Sequence, residues 1–411
     1  MNKYWLYLES FVDIEIYKNS VLFYNFFNNK KILYTDNKTI SKIARKLKSL
    51  KYGYVILVYE SFIEENKDFI KDIRDNYFGD LINTKHLIVK PQVFYPVPFF
   101  ATEYKQKKLN TPKKKILRNL RELTLHINTE QASNSNKTNL LYKLFYYPQV
   151  KKKYSEINIS ILTKLFDYLS YSELSILNIV CGNIFEYSNL NLLLSLLEKL
   201  NINIEFHIKI KYLTEFFEKI NLFSKITNKH FHIYIENDEL DNLTPIKNHK
   251  IIKNNCILNF LYENDKIYNL FEKYIIDEQI INYNLLPLIN KKNHINLLND
   301  IKYEIEDIFN IKQLQKDILI KKVINPLNFG KLTITSKGDV FANLNKERLG
   351  NILYEDLKEI ILKEMTVKSS WFLVRKNVLP CKKCLYKNFC PPISNFEQFY
   401  KKNNLCNLNL N

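Results

Sequence analysis

The fold of this chain is constrained most by a regular alternation of short apolar runs and helical patterns between residues 113 and 325. Six runs have the length and composition of buried strands: Leu123–Ile127, Ile176–Val180, Ile204–Ile210, Phe231–Ile235, Cys256–Leu261 and Ile280–Leu285. Between them, apolar residues recur every three or four positions, which predicts helices that each bury one face. Strands that alternate with helices predict an α/β fold with a parallel sheet and crossover helices. Six units instead of eight predict an open, partial (β/α)6 barrel.

The first hundred residues follow a different pattern. Alternating apolar and polar positions predict strands at Val12–Tyr17, Val21–Phe27 and Lys31–Tyr34. Asp36 is the predicted cap of a following helix, and a further strand is predicted at Tyr54–Val58 before a second helical stretch. This order predicts a small α+β unit, in which a β-meander is followed by helices.

Cysteine is concentrated near the end of the sequence. Four of the six cysteines lie there: Cys381, Cys384, Cys390 and Cys406. Two thiolates that are separated by two residues can bind one metal centre from a single turn, and the neighbouring lysines would offset their charge. Four protein ligands leave no open coordination position, so such a centre would be structural or would relay electrons. The spacing alone leaves both an Fe–S cluster and Zn open.

The other candidate ligands are scattered along the predicted strands. Cys181 and Cys256 lie on or beside strands, where cysteine is a common small apolar core residue. His126, His207 and His232 also fall within strands and are interpreted as core or lining residues. No catalytic residue is assigned from the sequence.

The charge of the chain does not point to a nucleic-acid ligand. The 411 residues include 61 Lys and Arg against 43 Asp and Glu, which gives a formal net charge of +18. Only six of these basic residues are Arg, however, and base recognition and bidentate phosphate binding favour Arg over Lys. No stretch of 18 apolar residues predicts a transmembrane helix, and the first residues do not resemble a signal peptide. These features predict a cytoplasmic protein in a reducing compartment with no membrane partner.

The C-terminal region resembles the SPASM domain, which carries auxiliary clusters in many radical S-adenosylmethionine (SAM) peptide maturases. The resemblance lies in a hairpin at Leu332–Phe341 with its turn at Gly338, in Leu349–Ile352, in a helix at Leu357–Leu362 and in the cysteine spacing. It implies that the four C-terminal cysteines hold one 4Fe-4S cluster, with Zn as the alternative. The cysteines of a second auxiliary cluster are absent, and their places are taken by Ala342 and Asn343, Glu355 and Ser394.

The strand that ends at Val180 resembles the second strand of radical SAM enzymes, where a Gly-Gly-Glu-Pro run binds the amino end of the cofactor. Here the run reads Cys181, Gly182 and Asn183, so one glycine and the glutamate are missing. The loop at positions 128–139, where that family carries a Cys-x3-Cys-x2-Cys motif, contains no cysteine and no histidine. Since three thiolates are needed to hold the radical cluster, no SAM binding or cleavage is expected.

The N-terminal unit resembles the winged-helix-like recognition element of enzymes that modify ribosomally made peptides. In that family the leader peptide adds as a strand to the third strand of the meander. The resemblance therefore implies a peptide-binding edge made by Lys31, Ile32, Leu33 and Tyr34. An edge strand offers unpaired backbone donors and acceptors to such a ligand.

Taken together, the chain resembles pseudo-radical-SAM proteins of Bacteroidales-type ribosomal peptide maturation systems. The resemblance implies a peptide-recognition-like domain at 1–112, a degenerate radical-SAM-like barrel at 113–325 and a SPASM-like domain at 326–411. It implies a non-catalytic partner that binds the precursor peptide, a true radical SAM maturase, or both. Two alternatives remain open at this point: an enzyme of non-radical chemistry that reuses the barrel cavity and the metal centre, and a basic, Zn-bearing nucleic-acid-binding protein.

Overall fold

A sheet of nine strands forms the centre of the computed structural model, which describes residues 2–94, 113–131, 136–236, 239–240, 255–289, 302–311, 313–367, 369–402 and 406. In chain order its strands are β7 (Glu122–His126), β10 (Ile176–Val180), β11 (Asn203–Lys209), β12 (Lys229–Ile235), β13 (Cys256–Tyr262), β14 (Tyr283–Pro287), β15 (Lys331–Ile334), β16 (Asp339–Phe341) and β17 (Gly350–Asn351). Across the sheet they are ordered β14-β13-β12-β11-β10-β7-β15-β16-β17. The six strands from β7 to β14 pair in parallel, which confirms the predicted large parallel sheet.

The last strand of this series begins three residues later than predicted, because the helix before it ends differently. Gln279 adopts a left-handed conformation with φ 52°, and the Ile280 amide donates to the carbonyl of Ile275. Ile280 therefore belongs to the terminal turn of the helix and not to the strand. The pairing with β13 starts at Tyr283.

Helices between the parallel strands cover the sheet and build its main core. They are α6 (Ile159–Leu169), α7 (Leu190–Leu197), α8 (Leu213–Glu218) and α9 (Asp265–Asp277). The apolar side of α6, represented by Leu162 and Leu165, is fully buried, and the Oδ1 atom of Asn158 caps its first turn. The same apolar cluster includes Leu357 and Trp371, so the C-terminal region shares the core of the parallel strands.

Strand β15 joins the C-terminal region to the parallel strands. It pairs in parallel with β7, on the side opposite β10, and then turns at Gly338 (φ 80°) into the antiparallel β16. The predicted hairpin with its turn at Gly338 is therefore present, and it extends the sheet past residue 325. The remaining elements of this half are α4 (Lys113–Ile116), β8 (Glu130–Gln131), α5 (Asn136–Leu144), β9 (Val150–Lys151), α10 (Ile305–Asn310), α11 (Gln315–Lys321), α12 (Leu357–Val367) and α13 (Asn395–Tyr400).

The N-terminal unit contains two small sheets instead of one meander followed by helices. Its elements are β1 (Lys3–Leu8), β2 (Val12–Tyr17), β3 (Ser20–Asn25), β4 (Lys31–Tyr34), α1 (Lys38–Lys48), β5 (Val55–Tyr59), α2 (Glu60–Glu65), α3 (Lys67–Asp75) and β6 (Gly79–Asn83). Strands β2, β3 and β4 form the predicted meander, whereas β1 lies between β5 and β6 in a second sheet. The predicted cap Asp36 is wrong by one residue. Asp36 has φ 46°, whereas Asn37 is extended and its Oδ1 atom accepts from the Ile40 amide at 2.9 Å.

The polar side of β2 is buried against the C-terminal half of the chain. Glu15 is only 4% exposed, and its carboxylate accepts a hydrogen bond of 2.5 Å from the amide of Asn388. The ammonium groups of Lys387, Lys322 and Lys48 lie 3.1, 3.4 and 3.4 Å from the same carboxylate. Burial alone would raise the pKa of Glu15, but the three lysines outweigh it and lower the pKa to about 2. Glu15 therefore stays ionised and holds the two regions together.

Beside Glu15, apolar and aromatic contacts complete this interface. Leu22 and Tyr24 of β3 are buried in a cluster with Ile308, Ile318 and Phe389. The rings of Tyr24 and Phe389 lie 4.8 Å apart. No helix in the described part of the chain is long and apolar enough to cross a membrane.

We predict that Glu15→Gln reduces the free energy of unfolding by about 3 kcal/mol at pH 7. This value corresponds to the lowering of the Glu15 pKa from 4.5 to about 2 on folding. In the native protein this stabilisation is present above pH 4.5 and is lost as the pH falls towards 2, so the stability of the variant should depend less on pH in that window. Urea unfolding between pH 7 and pH 2 measures both effects.

The control is Glu64→Gln, because Glu64 is an exposed residue of α2 in the same unit. We expect this variant to unfold like the unmodified protein at every pH. Equal stability of Glu15→Gln and Glu64→Gln would contradict the role assigned to Glu15.

Candidate metal centre

The four C-terminal cysteines that the sequence singles out line one small cavity. It has a volume of about 10 Å³, and its wall is completed by Tyr303, Arg375 and Lys387. Two of the thiols come from one short 3-10 turn, because the Cys384 amide donates to the Cys381 carbonyl at 2.9 Å. Cys390 follows on the next turn, and Cys406 is brought in by a parallel bridge to Tyr303.

The surroundings of the thiols are apolar and positively charged. Burial raises the pKa of Cys384 to about 11 and that of Cys390 to about 12, and the charge of Arg375 opposes the rise at Cys390. The Arg375 Nη1 atom lies 3.5 Å from the sulfur of Cys381 and can donate to it. A buried thiol in such surroundings is neutral by itself, whereas a thiolate would be stabilised by a bound cation and by these positive neighbours.

Arg375 is itself fixed by a buried carboxylate. Its Nη1 atom donates to Glu397 Oε1 at 2.9 Å, its Nη2 atom donates to Oε2 at 3.3 Å, and Glu397 is 1% exposed. Glu397 also caps α13 together with Ser394. The sequence analysis missed Arg375, although an arginine six residues before the Cys-x2-Cys pair, in a chain with so few arginines, is a usable signal.

The four C-terminal thiols, all among the described residues, share one pocket but do not form a metal-binding group as they stand. The six cysteines are all free, and the four in question share one enclosed wall with three polar or cationic groups. Among the residues that the structure describes, no three His, Cys, Asp or Glu side chains are grouped so as to hold a metal ion. The pocket thus brings the four thiols together without arranging three of them around one point.

The positions that lack cysteine for a second auxiliary cluster have structural hydrogen bonds instead. Asn343 donates from its amide to Asn395 at 2.7 Å. Glu355 accepts from the backbone amide of Asn351 at 3.0 Å, and the Ser394 hydroxyl accepts from the Glu397 amide at 3.2 Å. Each of these side chains stabilises a turn or a helix end where it stands.

At the carboxyl ends of β7 and β10, the residues that the sequence analysis compared with a SAM-binding run have structural roles. The side chain of Asn128 accepts from the Gly182 amide at 2.9 Å and donates to the Asn183 carbonyl at 2.7 Å. A Cβ atom on Gly182 would lie 3.1 Å from the backbone of Glu130, so glycine permits this close approach. Asn183 caps the following turn and donates to Glu215 at 2.9 Å.

The same ends of the strands carry a buried ion pair. Glu130 is 8% exposed and accepts from Lys209 Nζ at 2.8 Å and from Lys211. Burial would raise the pKa of Glu130, but the two lysines lower it. Glu130 is therefore ionised and paired with both lysines.

The scattered cysteines and histidines lie where the sequence placed them, on or beside the strands. Cys181 and Cys256 are buried, and burial raises the pKa of both thiols to about 12. His207 is buried and donates from Nε2 to Asn178 at 2.9 Å, and His232 contacts Glu205 at 3.1 Å. His126 is also buried and lines a cavity of its own.

The predicted peptide-binding residues form the strand β4, with the bounds that the sequence predicts. Among the described strands it pairs with β3 alone, so it is one edge of the three-stranded sheet. Ile32 and Tyr34 pack on the N-terminal core, whereas the Leu33 side chain is 42% exposed. The ammonium of Lys31 lies 3.9 Å from the ring centroid of Phe309, in the helix α10.

Comparison with known proteins adds a partial likeness of overall arrangement. No protein-family model matches the chain, and no curated protein matches it. The crystal structure of SuiB from Streptococcus suis aligns over 98% of this chain and 100% of that chain, with 12% sequence identity and a TM-score of 0.47. SuiB bound to precursor peptide SuiA aligns over the same shares, with 13% identity and a TM-score of 0.46. BtrN in an open conformation covers 64% of this chain and 92% of its own, with 12% identity and a TM-score of 0.32. At these values no residue's role is carried over from those proteins.

We predict that Asn128→Leu lowers the free energy of unfolding by about 2 to 4 kcal/mol, because it leaves the Gly182 amide and the Asn183 carbonyl buried without their partner. Thermal or urea unfolding measures this loss. The exposed helix residue Asn139 provides the control, since Asn139→Leu should change stability by less than about 0.5 kcal/mol. A loss of similar size in both variants would contradict the role given to Asn128.

Proposed function

We propose that this protein is a non-catalytic, radical-SAM-like partner in the maturation of a ribosomally made peptide. It would bind the precursor peptide, the active maturase, or both, and carry one metal centre near its C-terminus. The observation that carries the proposal is a contrast between two sites. Four cysteines line one pocket of the C-terminal region. The described residues 127–131, directly after β7, instead include the hydrogen-bonded side chains of Asn128 and Glu130 and no thiol.

The chemistry of the C-terminal pocket supports a four-thiolate centre. Cys381 and Cys384 come from one 3-10 turn, and Cys390 and Cys406 come from other segments. Tyr303, Arg375 and Lys387 complete the wall of the pocket that the four cysteines share. A 4Fe-4S cluster, when bound there, would cross-link the segments that carry the four cysteines and could accept one electron. We assign the cluster in preference to Zn because the resemblance of the C-terminal region to SPASM domains implies a 4Fe-4S cluster, and one Zn ion is the alternative.

The proposed position of the peptide is the free edge of β4. This edge is next to α10, whose Phe309 contacts Lys31, and its Leu33 side chain is exposed. An added strand would form backbone hydrogen bonds along β4 and would cover Leu33. Since the formal charge of the chain is +18, an acidic leader would also be attracted, and this attraction would weaken with added salt.

The absence of radical chemistry is proposed from the ends of β7 and β10. Gly182 and Asn183 have their backbone groups bound by Asn128, and the carboxylate of Glu130 is paired with two lysines. None of these groups supplies the three thiolates on which reductive cleavage of SAM depends. The chain would then contribute recognition, and the chemistry would belong to its partner.

We predict that anaerobically purified protein contains about four iron and four sulfide per chain and shows the visible absorption of an Fe–S cluster. Cys384→Ala should abolish this content, because it removes one of four ligands. Cys181→Ala is the matched control, since Cys181 is equally buried but belongs to a strand end. Iron and sulfide analysis of the three proteins gives the result. One Zn per chain and no sulfide would contradict the Fe–S assignment.

The same protein, reduced with dithionite and supplied with SAM, should form no 5′-deoxyadenosine above a protein-free blank. Product analysis by chromatography measures this outcome. Turnover that requires the protein would contradict the non-catalytic reading.

We predict that Leu33→Asp weakens the binding of the cognate precursor peptide at least tenfold, because it places a charge on the proposed docking edge. Candidate peptides are those encoded beside the gene, tested by pull-down and fluorescence anisotropy. Leu57→Asp is the matched control, because Leu57 is 40% exposed on β5, an edge strand of the other small sheet. If neither a neighbouring peptide nor a neighbouring maturase binds, the partner function is wrong. Equal loss in both variants would contradict the assignment of the edge.

A further inference from the structure

A cavity of about 100 Å³ lies between β7 and β15, apart from the cysteine pocket and from the edge of β4. Its floor is formed by Glu122, Thr124 and His126 on β7 and by Lys331 and Thr333 on β15. These residues lie together because the two strands pair in register, with Thr124 opposite Thr333 and Glu122 opposite Lys331. The remaining wall is contributed by the segment from Tyr142 to Tyr146, by Asn328 and by residues 342–344 and 395.

Two residues that line this cavity each have a buried polar atom without a hydrogen-bond partner among the described residues. The atoms are Nδ1 of His126 and Nδ2 of Asn328, whose residues are 2% and 4% exposed. A buried polar group without a partner is costly, so such groups in a native protein indicate a missing ligand or ordered water. Asn328 offers a donor, and a neutral imidazole can also donate from one nitrogen.

The charges around the cavity favour an anion. Lys143 and Lys331 both line it, and Lys331 is paired at 2.7 Å with Glu122, the carboxylate on the floor. Glu122 also accepts from the amide of Asn178 at 3.2 Å and from the hydroxyl of Tyr146, so its oxygens are already supplied with donors. Lys143 therefore leaves an excess of positive charge at the wall.

The state of His126 fits the same interpretation. Burial and the charge of Lys151 lower the pKa of His126 to about 3, so the imidazole is neutral at pH 7. Its ring contacts Tyr142 edge to face, with 5.1 Å between the ring centroids, which fixes its orientation beside the cavity. A bound anion would give the ring an acceptor for its N–H group.

We propose that this cavity binds a carboxylate group, which accepts hydrogen bonds from His126 and Asn328 and is attracted by Lys143. The volume corresponds to about three water molecules, which is the size of a carboxylate with one or two carbon atoms behind it. Ala342 and Leu344 on the wall would contact that short apolar stem. The carboxylate could come from a small free acid or from an acidic side chain of a docked peptide, and both sources share this chemistry.

Acetate binding to the full-length protein tests this assignment. We expect sodium acetate to raise the melting temperature in a saturable way relative to sodium chloride of the same ionic strength, since a ligand that binds the native state stabilises it. In protein labelled with ¹⁵N in its seven histidines, the signal of one imidazole should shift with the same saturation curve. A response to sulfate that equals the response to acetate would overturn the carboxylate assignment.

Variants locate the binding at the cavity. His126→Phe should weaken acetate binding at least tenfold, and Lys143→Met should weaken it severalfold without changing a fully buried residue. His86→Phe is the control, because His86 is exposed in the N-terminal unit and should leave acetate binding unchanged. If His126→Phe does not fold, Lys143→Met and the histidine signal decide the question. Unchanged binding in Lys143→Met together with no shifted imidazole would overturn the proposal.

Two short peptides distinguish the source of the carboxylate. If acetyl-Gly-Asp-Gly-amide competes with acetate and the Asn analogue does not bind, the site takes an acidic side chain. Binding of acetate alone would assign it to a small free acid. If neither stabilises the protein beyond the chloride reference, the cavity holds water only and the proposal is wrong. The outcome is independent of the proposed partner function, because the assays use neither precursor peptide nor maturase.

Discussion

The pairing of β7 with β15 is the interaction on which the rest of this structure depends. Every residue of β7 is buried, so its backbone groups on both sides need partners inside the protein. Strand β10 supplies partners on one side and β15 on the other. Without β15, the first strand of the parallel series would present an unpaired edge within an apolar core. The pairing also places the C-terminal hairpin beside the parallel strands.

Strands of the parallel sheet that are mostly apolar in sequence also contain a buried hydrogen-bond network. The register brings Asn178, His207 and Tyr234 from three neighbouring strands into hydrogen-bond contact. His207 donates to Asn178 and accepts from Tyr234, and burial keeps its pKa well below the usual range. A buried network of this kind is stabilising only when each of its donors and acceptors has a hydrogen-bond partner. His126, at the end of β7, is neutral like His207, but its Nδ1 atom has no hydrogen-bond partner among the described residues.

The features that could be predicted from the sequence are those set by local patterns. Buried parallel strands need continuous apolar runs, and two cysteines three positions apart can share one turn, so both features are visible in short windows. The second N-terminal sheet could not be predicted, because β1 pairs with β5 and β6, which are distant in sequence. The buried face around Glu15 could not be predicted for the same reason. An alternating strand shows that one side is polar, but only the tertiary structure shows that this side is covered too.

The contact between Glu15 and Asn388 joins residues that are 373 positions apart. During synthesis at about 5 to 20 residues per second, the meander would wait roughly 20 to 75 s before its partner is made. Until α10, α11 and Phe389 are made, Leu22 and Tyr24 face water on the same side of the sheet as Glu15, which has Lys48 of the same unit as an ionic partner. The nascent N-terminal unit thus exposes an aggregation-prone apolar patch until the C-terminal half of the chain covers it. The charge of Glu15 beside this patch helps to keep the unit soluble during that time.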